Sequence, residues 1–161
     1  ISSSRGLRPP SKIRRDTFDV PVWLVCNSRG TVSIVNAATH LKTDRSDGLF
    51  LTASVLTVSK RVLDVFQFGF TQIREPVLKV HHHNDDFWVT PASKTEPFKQ
   101  KLINAKTFDV FLYEGGRIPD DSCEARHYQG FPRLEARVAV DIAEWIGRHG
   151  ERHADGRRFA A

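Results

Sequence analysis

The chain has 161 residues, of which 40% are apolar and 27% charged, and its formal net charge is +5. This length supports one hydrophobic core and is short for two. No apolar run approaches the ~18 residues that a membrane-spanning helix needs, so the sequence predicts no membrane span. Its two cysteines, Cys26 and Cys123, are few for a small secreted fold that depends on disulfides. This favours a reducing compartment, and a single bridge between them stays open.

Positive charge is concentrated at the two ends of the chain. Residues 1–15 contain five basic residues and no acidic one, and the last sixteen residues contain four basic and two acidic residues. Residues 16–145 contain 15 basic and 17 acidic residues, so the body is nearly neutral. Polar ends of this kind cannot bury enough apolar surface to fold by themselves. We therefore expect an extended basic N-terminal arm over 1–15, one domain over 16–149 and a basic tail over 150–161.

The basic side chains at the two ends are the predicted partner-binding residues. They are Arg5, Arg8, Lys12, Arg14, Arg15, Arg157 and Arg158. Pro9 and Pro10 keep the arm extended. The opening stretch is rich in serine and arginine and has no acid, which is typical of what an organelle transit peptide leaves behind. Because the chain starts at Ile1, the sequence also indicates a processed or trimmed start, and together these features predict a mitochondrial protein.

The first predicted element is a β-hairpin. Residues 17–26 and 31–35 are rich in β-branched side chains, and the residues between them, Asn27-Ser28-Arg29-Gly30, are typical of a turn. Pro21 has no N–H to donate to a neighbouring strand, so the first strand is expected at an edge of the sheet or with a bulge.

The rest of the chain predicts alternating strands and helices. In order they are a strand at 49–52, a helix at 54–68, a second hairpin from strands at 77–82 and 86–90, a helix at 93–104, a strand at 107–114 and a final helix ending near Ile146. In the final helix Leu134, Val138, Ile142, Trp145 and Ile146 lie on one face, which we expect to dock on the sheet. The predicted class is α+β, with a small mixed or antiparallel sheet, two or three helices, a C-terminal amphipathic helix and an extended basic N-terminal arm.

Three consecutive histidines suggest a metal site only weakly. Side chains alternate along a strand, so His81 and His83 would share a face and could act as ligands. No CxxC or HExxH spacing supplies further ligands. The sequence therefore favours histidines that are solvated or hydrogen-bonded at the end of a hairpin, and it predicts no metal and no cofactor.

No catalytic residues are predicted. Residues 49–54 are similar to the strand before the catalytic histidine of trypsin-like proteases, but Ser54 or Val55 stands where that histidine should be, and no Gly-Asp-Ser-Gly segment follows. Cys123 lies close to His127, but three neighbouring acids would raise rather than lower the pKa of a thiol. That segment is read as a solvated acidic loop, and the chain is not expected to be an enzyme.

Three functional hypotheses follow from the sequence. The leading one is a non-catalytic accessory subunit of a large mitochondrial assembly, most plausibly a peripheral subunit of a respiratory or ATP synthase complex in the matrix or on the matrix side of the inner membrane. Its partners would be other protein subunits, or anionic lipid headgroups that the basic ends attract. The second is a mitochondrial ribosomal protein whose ends contact rRNA. The third is a small stand-alone enzyme or an inhibitor protein.

Overall fold

The fold is given by a computed structural model. It describes residues 21–41, 46–57, 64–116 and 127–150. The predicted arm over 1–15 and nearly all of the tail over 150–161 lie outside these residues, so the expectations for both ends stay predictions. Among the described residues, no helix has the length and apolar character that crossing a membrane would require.

Four strands form one parallel sheet in which the order across the sheet is the order along the chain. The strands are β1 (Trp23–Asn27), β2 (Gly48–Thr52), β3 (Val77–His82) and β4 (Phe108–Tyr113). Trp23 pairs with Gly48, Leu49 with Val77, and Val77 with Phe108. Because the strands are parallel, all four carboxyl ends lie at one edge of the sheet.

Among the described residues, three α-helices cover the two faces of this sheet. They are α1 (Gly30–His40), α2 (Thr95–Lys101) and α3 (Glu135–His149). Side chains of α1 and α2 pack on one face, in a cluster that includes Ile34, Val35, Leu49, Leu51, Val77 and Phe98. Side chains of α3 pack on the other face, in a cluster that includes Phe50, Leu78, Val80, Tyr113, Val138 and Trp145. The class is therefore mixed α/β, and the described residues contain three helices, within the two or three expected.

The prediction of a mixed or antiparallel sheet was wrong, because neither predicted hairpin exists. Residues 31–35 belong to α1, whose Ile34, Val35 and Ala38 face the sheet. Burying these apolar side chains against β1 and β2 outweighs the β propensity of the segment. Residues 86–90 form no strand, since the chain turns away from the sheet after β3.

The predicted helix over 54–68 is also not observed in its described parts. Residues 54–57 are irregular, Val65–Gln67 form a single 3₁₀ turn, and 58–63 lie outside the described residues. By contrast, the strands at 49–52, 77–82 and 107–114 and the helix at 93–104 are confirmed as β2, β3, β4 and α2, with small shifts of their ends.

The last helix is confirmed as an amphipathic helix docked on the sheet. Val138 and Trp145 of α3 are buried in the second core, where Leu134, Ile142 and Ile146 pack against them. The edge position expected from Pro21 also agrees with the described sheet, in which β1 is an outer strand.

Candidate active site

Polar side chains gather where the parallel strands end. Ser28 directly follows β1, and Asp85 lies three residues beyond β3. His127 opens a short 3₁₀ turn, Tyr128–Gly130, which packs against the end of β3. In sheets of this kind, ligands bind outside the carboxyl ends of the strands. This edge is therefore the place to look for chemistry.

Ser28 has a backbone conformation that serine rarely adopts. Its φ is +49°, in the left-handed region, at the sharp turn between β1 and α1. Its N–H donates to the carbonyl oxygen of Thr52 at 3.1 Å, and its own carbonyl accepts from the Thr31 N–H at 3.0 Å and the Thr31 hydroxyl at 2.6 Å. Such a conformation costs about 1–3 kcal/mol and persists only where the surroundings enforce it. The turn therefore holds Ser28 at the edge of the sheet.

Gly30 makes this sharp turn possible. A Cβ built on Gly30 would lie 2.5 Å from the Sγ of Cys26, so only glycine allows the start of α1 to come this close to β1. Cys26 carries a free thiol, and Cys123 lies outside the described residues. The segment from 26 to 30 is thus a tight strand-to-helix turn with serine at its centre.

Asp85 is a buried carboxylate with several hydrogen-bond donors. Its Oδ1 accepts from the Phe87 N–H at 3.2 Å, and its Oδ2 accepts from the Thr90 hydroxyl at 2.9 Å. The Nε2 of His81 lies 3.2 Å from the same Oδ2. These contacts satisfy the desolvated carboxylate and fix its position.

Lys79 and His81 belong to β3, the strand that Asp85 follows, and lie on the face of the sheet that α1 and α2 cover. Both side chains are fully buried. The Nζ of Lys79 is 2.7 Å from the Nδ1 of His81, and the Nε2 of His81 is 2.7 Å from the carbonyl oxygen of Thr90. Because a carbonyl oxygen can only accept, the ring proton of neutral His81 is on Nε2, and its Nδ1 accepts from the Nζ of Lys79.

Burial dominates the titration of this pair. It lowers the pKa of Lys79 from 10.5 to about 7, although the charge of Asp85 acts in the opposite direction. It also lowers the pKa of His81, with Asp85 and the Thr90 carbonyl acting in the opposite direction and Lys79 adding to the decrease. The uncharged forms are favoured because the apolar core solvates charge poorly.

The lowered pKa of Lys79 predicts how stability depends on pH. Between pH 7 and 10.5 the unfolded chain holds this proton more tightly than the folded chain, so the free energy of unfolding should rise with pH across this window. In Lys79→Met that contribution disappears. Urea unfolding at intervals from pH 7 to pH 10 measures the difference, with exposed Lys99→Met as the control that should follow the wild type. Parallel curves for wild type and Lys79→Met would contradict the expectation.

His127 reaches the same edge from the segment after β4. Tyr128 stacks on His82 of β3 with ring centroids 4.0 Å apart, and the His127 ring lies 4.7 Å from that of Tyr128. The Nδ1 of His127 is buried and makes no hydrogen bond within the described structure. An unsatisfied buried imidazole nitrogen is costly and marks His127 as a candidate functional group.

Gln129 connects this turn to the carboxylate. Its Nε2 donates to the hydroxyl of Thr90 at 3.3 Å, and that hydroxyl in turn donates to Asp85.

Ser28 and Asp85 follow strands that are two positions apart in the sheet, which corresponds to roughly 10 Å. This separation is too long for a direct hydrogen bond and suits an imidazole placed between the two side chains.

The histidines predicted as weak metal candidates do not come together. His81 points into the core, whereas the side chain of His83 is 58% exposed and lies 3.9 Å from Glu114. Within the described ranges, no group of three or more histidine, cysteine, aspartate or glutamate residues could hold a metal ion. The expected sharing of a face by His81 and His83 was wrong, because the strand ends at His82.

A comparison with protein-family models and a comparison with curated proteins both find no match for this chain. The candidate site therefore depends on geometry alone. The sequence analysis missed Ser28 because Asn27 to Gly30 were read as a hairpin turn. The signal was the sequence Ser-Arg-Gly between an apolar strand and a segment with Ile34, Val35 and Ala38 at helical spacing.

Proposed function

We propose that this chain is a serine hydrolase that cleaves an ester or amide by acyl transfer to Ser28. The observation that carries the proposal is the left-handed backbone of Ser28 at a tight strand-to-helix turn, closed by Gly30. This is the arrangement of the nucleophile in α/β-hydrolases, where the serine is held exposed at the top of the sheet. The first glycine of their Gly-x-Ser-x-Gly pattern is replaced here by Cys26.

The order of the other residues supports the same assignment. In α/β-hydrolases the three groups follow one another along the chain as serine, acid and histidine. Ser28, Asp85 and His127 have this order, and all three lie at the carboxyl edge of the parallel sheet. The likeness is one of local geometry, and the reactivity of Ser28 tests the chemistry.

In the proposed reaction, the Oγ of Ser28 attacks the substrate carbonyl while His127 accepts the hydroxyl proton. Asp85 accepts the Nδ1–H of His127 and so orients the imidazole. The N–H of Arg29, the residue after the nucleophile, donates to the oxyanion of the tetrahedral intermediate. His127 then gives its proton to the leaving group, and the same steps with water release the acid and regenerate Ser28.

The proposal requires one rearrangement. In the structure the Oδ2 of Asp85 accepts from Thr90 and lies next to His81, and His127 Nδ1 has no partner. For catalysis, His127 has to turn its Nδ1–H toward Asp85. Hydrogen bonds of this kind are commonly loose without substrate and tighten when it binds.

The sequence-based hypothesis of a non-catalytic mitochondrial subunit stays a prediction. It depends on the basic ends, which lie outside the described residues. It also depended on finding no group of residues that could carry out a reaction, and Ser28, Asp85 and His127 now supply a candidate group. For this reason the hydrolase is the function that the described residues support best.

A fluorophosphonate probe tests the proposal directly. An activated serine displaces fluoride from such a probe and becomes phosphonylated on Oγ, whereas ordinary serines do not react. We expect one adduct per chain, located on Ser28 by peptide mass mapping, and no adduct in Ser28→Ala. Asp85→Asn and His127→Ala should label far more slowly, because the hydroxyl then lacks its base or the base lacks its orientation.

The matched control is Ser33→Ala, which removes an exposed serine from α1, about one helical turn away from the strand-to-helix turn of Ser28. It should label at the rate of the wild type. A wild-type chain that forms no adduct, or an adduct that persists in Ser28→Ala, would overturn the proposal.

A further inference from the structure

A row of buried polar side chains on β3 has no role in the reaction described above. Lys79 and His81 project toward the face covered by α1 and α2, and Lys79 Nζ lies 5.9 Å from the ring centre of Phe98 in α2. Both side chains are completely buried. Placing a lysine among aromatic side chains costs free energy unless its polar end has a partner. Its partner here is His81, and the contacts of His81 lead to Asp85.

The hydrogen bonds connect Lys79 to His81 and His81 to Asp85, and in each of them the residue named first is the donor. Lys79 Nζ donates to Nδ1 of His81 at 2.7 Å, and the Nε2–H of His81 points to the Thr90 carbonyl oxygen at 2.7 Å and to Oδ2 of Asp85 at 3.2 Å. We infer that Lys79 and His81 are positioning residues that hold the Asp85 carboxylate in its working orientation. This inference rests on the proposed function, in which Asp85 orients His127.

The physical basis is the choice of histidine tautomer. With the proton on Nδ1, the bare Nε2 would face two oxygen atoms, those of Thr90 and Asp85, and both of these contacts would become repulsive. The two oxygens therefore select the Nε2–H tautomer, and Lys79 supports it by donating to Nδ1. His81 in that tautomer supplies Asp85 with a donor.

Asp85 also accepts from two residues further along the chain, Phe87 through its N–H and Thr90 through its hydroxyl. Thr90 donates its hydroxyl to Oδ2 and accepts from Gln129, which belongs to the turn that carries His127. Asp85 is thus connected to β3 through His81 and, through Thr90, to this turn. Without the His81 donor, Oδ1 still accepts from the Phe87 N–H and Oδ2 from the Thr90 hydroxyl, so the carboxylate should stay in place. Its Oδ2 is then held less firmly, and a small shift of that oxygen misaligns His127 rather than unfolding the chain.

The labelling rate of Ser28 by the fluorophosphonate probe measures this alignment. His81→Leu removes the donor, and we expect labelling to slow on the order of 100-fold, as misplacement by about 1 Å does. His81→Gln keeps an N–H donor, so it should recover most of the rate. Thermal unfolding of both variants checks that they fold. A labelling rate of His81→Leu equal to that of the wild type, or equal losses in both folded variants, would overturn the inference.

Lys79→Met provides a second route if His81→Leu does not fold, since methionine fills a similar volume without a donor. ¹⁵N NMR of the histidine side chains in the full chain should show His81 neutral, with its proton on Nε2 and no titration near pH 6.5. In Lys79→Met the Nδ1 resonance should move toward that of a nitrogen without a hydrogen bond, and labelling should slow. A wild-type His81 with its proton on Nδ1 would overturn the inference.

The two proposals fail in distinguishable ways. A wild-type chain that the probe does not label overturns the hydrolase, while the NMR measurement still decides whether Lys79 donates to Nδ1 of His81 in its Nε2–H tautomer. A chain that labels on Ser28 at the same rate with and without the His81 donor keeps the hydrolase and removes the positioning role.

Discussion

Replacing Trp145 with alanine is expected to lower the free energy of unfolding by about 3 to 5 kcal/mol, the usual range for a large buried aromatic residue. The Trp145 side chain is 1% exposed and lies in the core between α3 and the sheet. Its ring packs edge-to-face on Trp23 with centroids 5.5 Å apart, and its Nε1–H donates to Asp109 at 2.7 Å. The substitution therefore removes both packing and a hydrogen bond, and urea unfolding measures the loss.

Two variants separate these contributions. Trp145→Phe keeps most of the buried area but not the hydrogen bond, and it should lose about 1 to 2 kcal/mol. Trp88→Ala is the matched control, because this tryptophan is 58% exposed and its loss should change stability by no more than about 0.5 kcal/mol. A loss below about 1 kcal/mol in Trp145→Ala would mean that α3 does not depend on this contact.

The position of α3 could be predicted from the sequence because its signal is local. Val138, Ile142 and Trp145 recur at helical spacing over two turns, and the exposed face is charged, so one assignment satisfies the whole segment. The same holds for β4, because its length is typical of a strand and the glycines that follow it mark its end. Elements of this kind are determined by residues within their own span.

The direction of the sheet could not be predicted in that way, because it depends on what connects the strands. The segment 31–35 has the β-branched composition of a strand, and only the burial of α1 against the sheet makes it a helix. One signal was available. Nearly every side chain of β2 and β3 is buried, and strands covered on both faces have continuous apolar runs, which is typical of parallel sheets. The runs at 49–51 and 77–80 are of this type, apart from Lys79.

The candidate site was hidden from the sequence for a related reason. Ser28, Asp85 and His127 are separated by 57 and 42 positions along the chain. Only a parallel sheet brings Ser28 and Asp85 to the same edge of the sheet. In the predicted hairpins, each of these residues would instead lie in a turn between two antiparallel strands. The replacement of a glycine by Cys26 also removed the most familiar part of the pattern. The part of the pattern that is still present in the sequence is a serine two residues before a glycine, at the end of an apolar strand.

Strain at this edge is consistent with a site that was shaped for a purpose other than stability. Ser28, Ala53 and Phe131 all have φ between +39° and +57°, and each lies near the carboxyl end of a strand or in the turn that carries His127. Strained residues that are not glycine cluster at functional sites, where the surroundings hold them in place. The effect of relieving this strain at Ser28 can be separated from the effect of removing its hydroxyl.

Hydrolysis of an activated ester such as p-nitrophenyl acetate should depend on Ser28 and His127 as one unit. Each of Ser28→Ala and His127→Ala is expected to lower the enzymatic rate by roughly 10⁴- to 10⁶-fold, and the double variant should lose no more than the single ones. The reason is that the base has nothing to activate once the hydroxyl is gone. Independent contributions, in which the two losses multiply, would contradict the proposed mechanism.

Ser28→Gly distinguishes the chemistry of the side chain from the strain of the backbone. It removes the hydroxyl as Ser28→Ala does, so both variants should be equally inactive. Glycine adopts a φ of +49° without steric cost, whereas alanine does not. Urea unfolding should therefore find Ser28→Gly about 1 kcal/mol more stable than Ser28→Ala. An inactive Ser28→Gly that is also more stable than the wild type would mean that the strand-to-helix turn holds the nucleophile at a cost in the stability of the fold. Retained activity in either variant would show instead that Ser28 is not the attacking group.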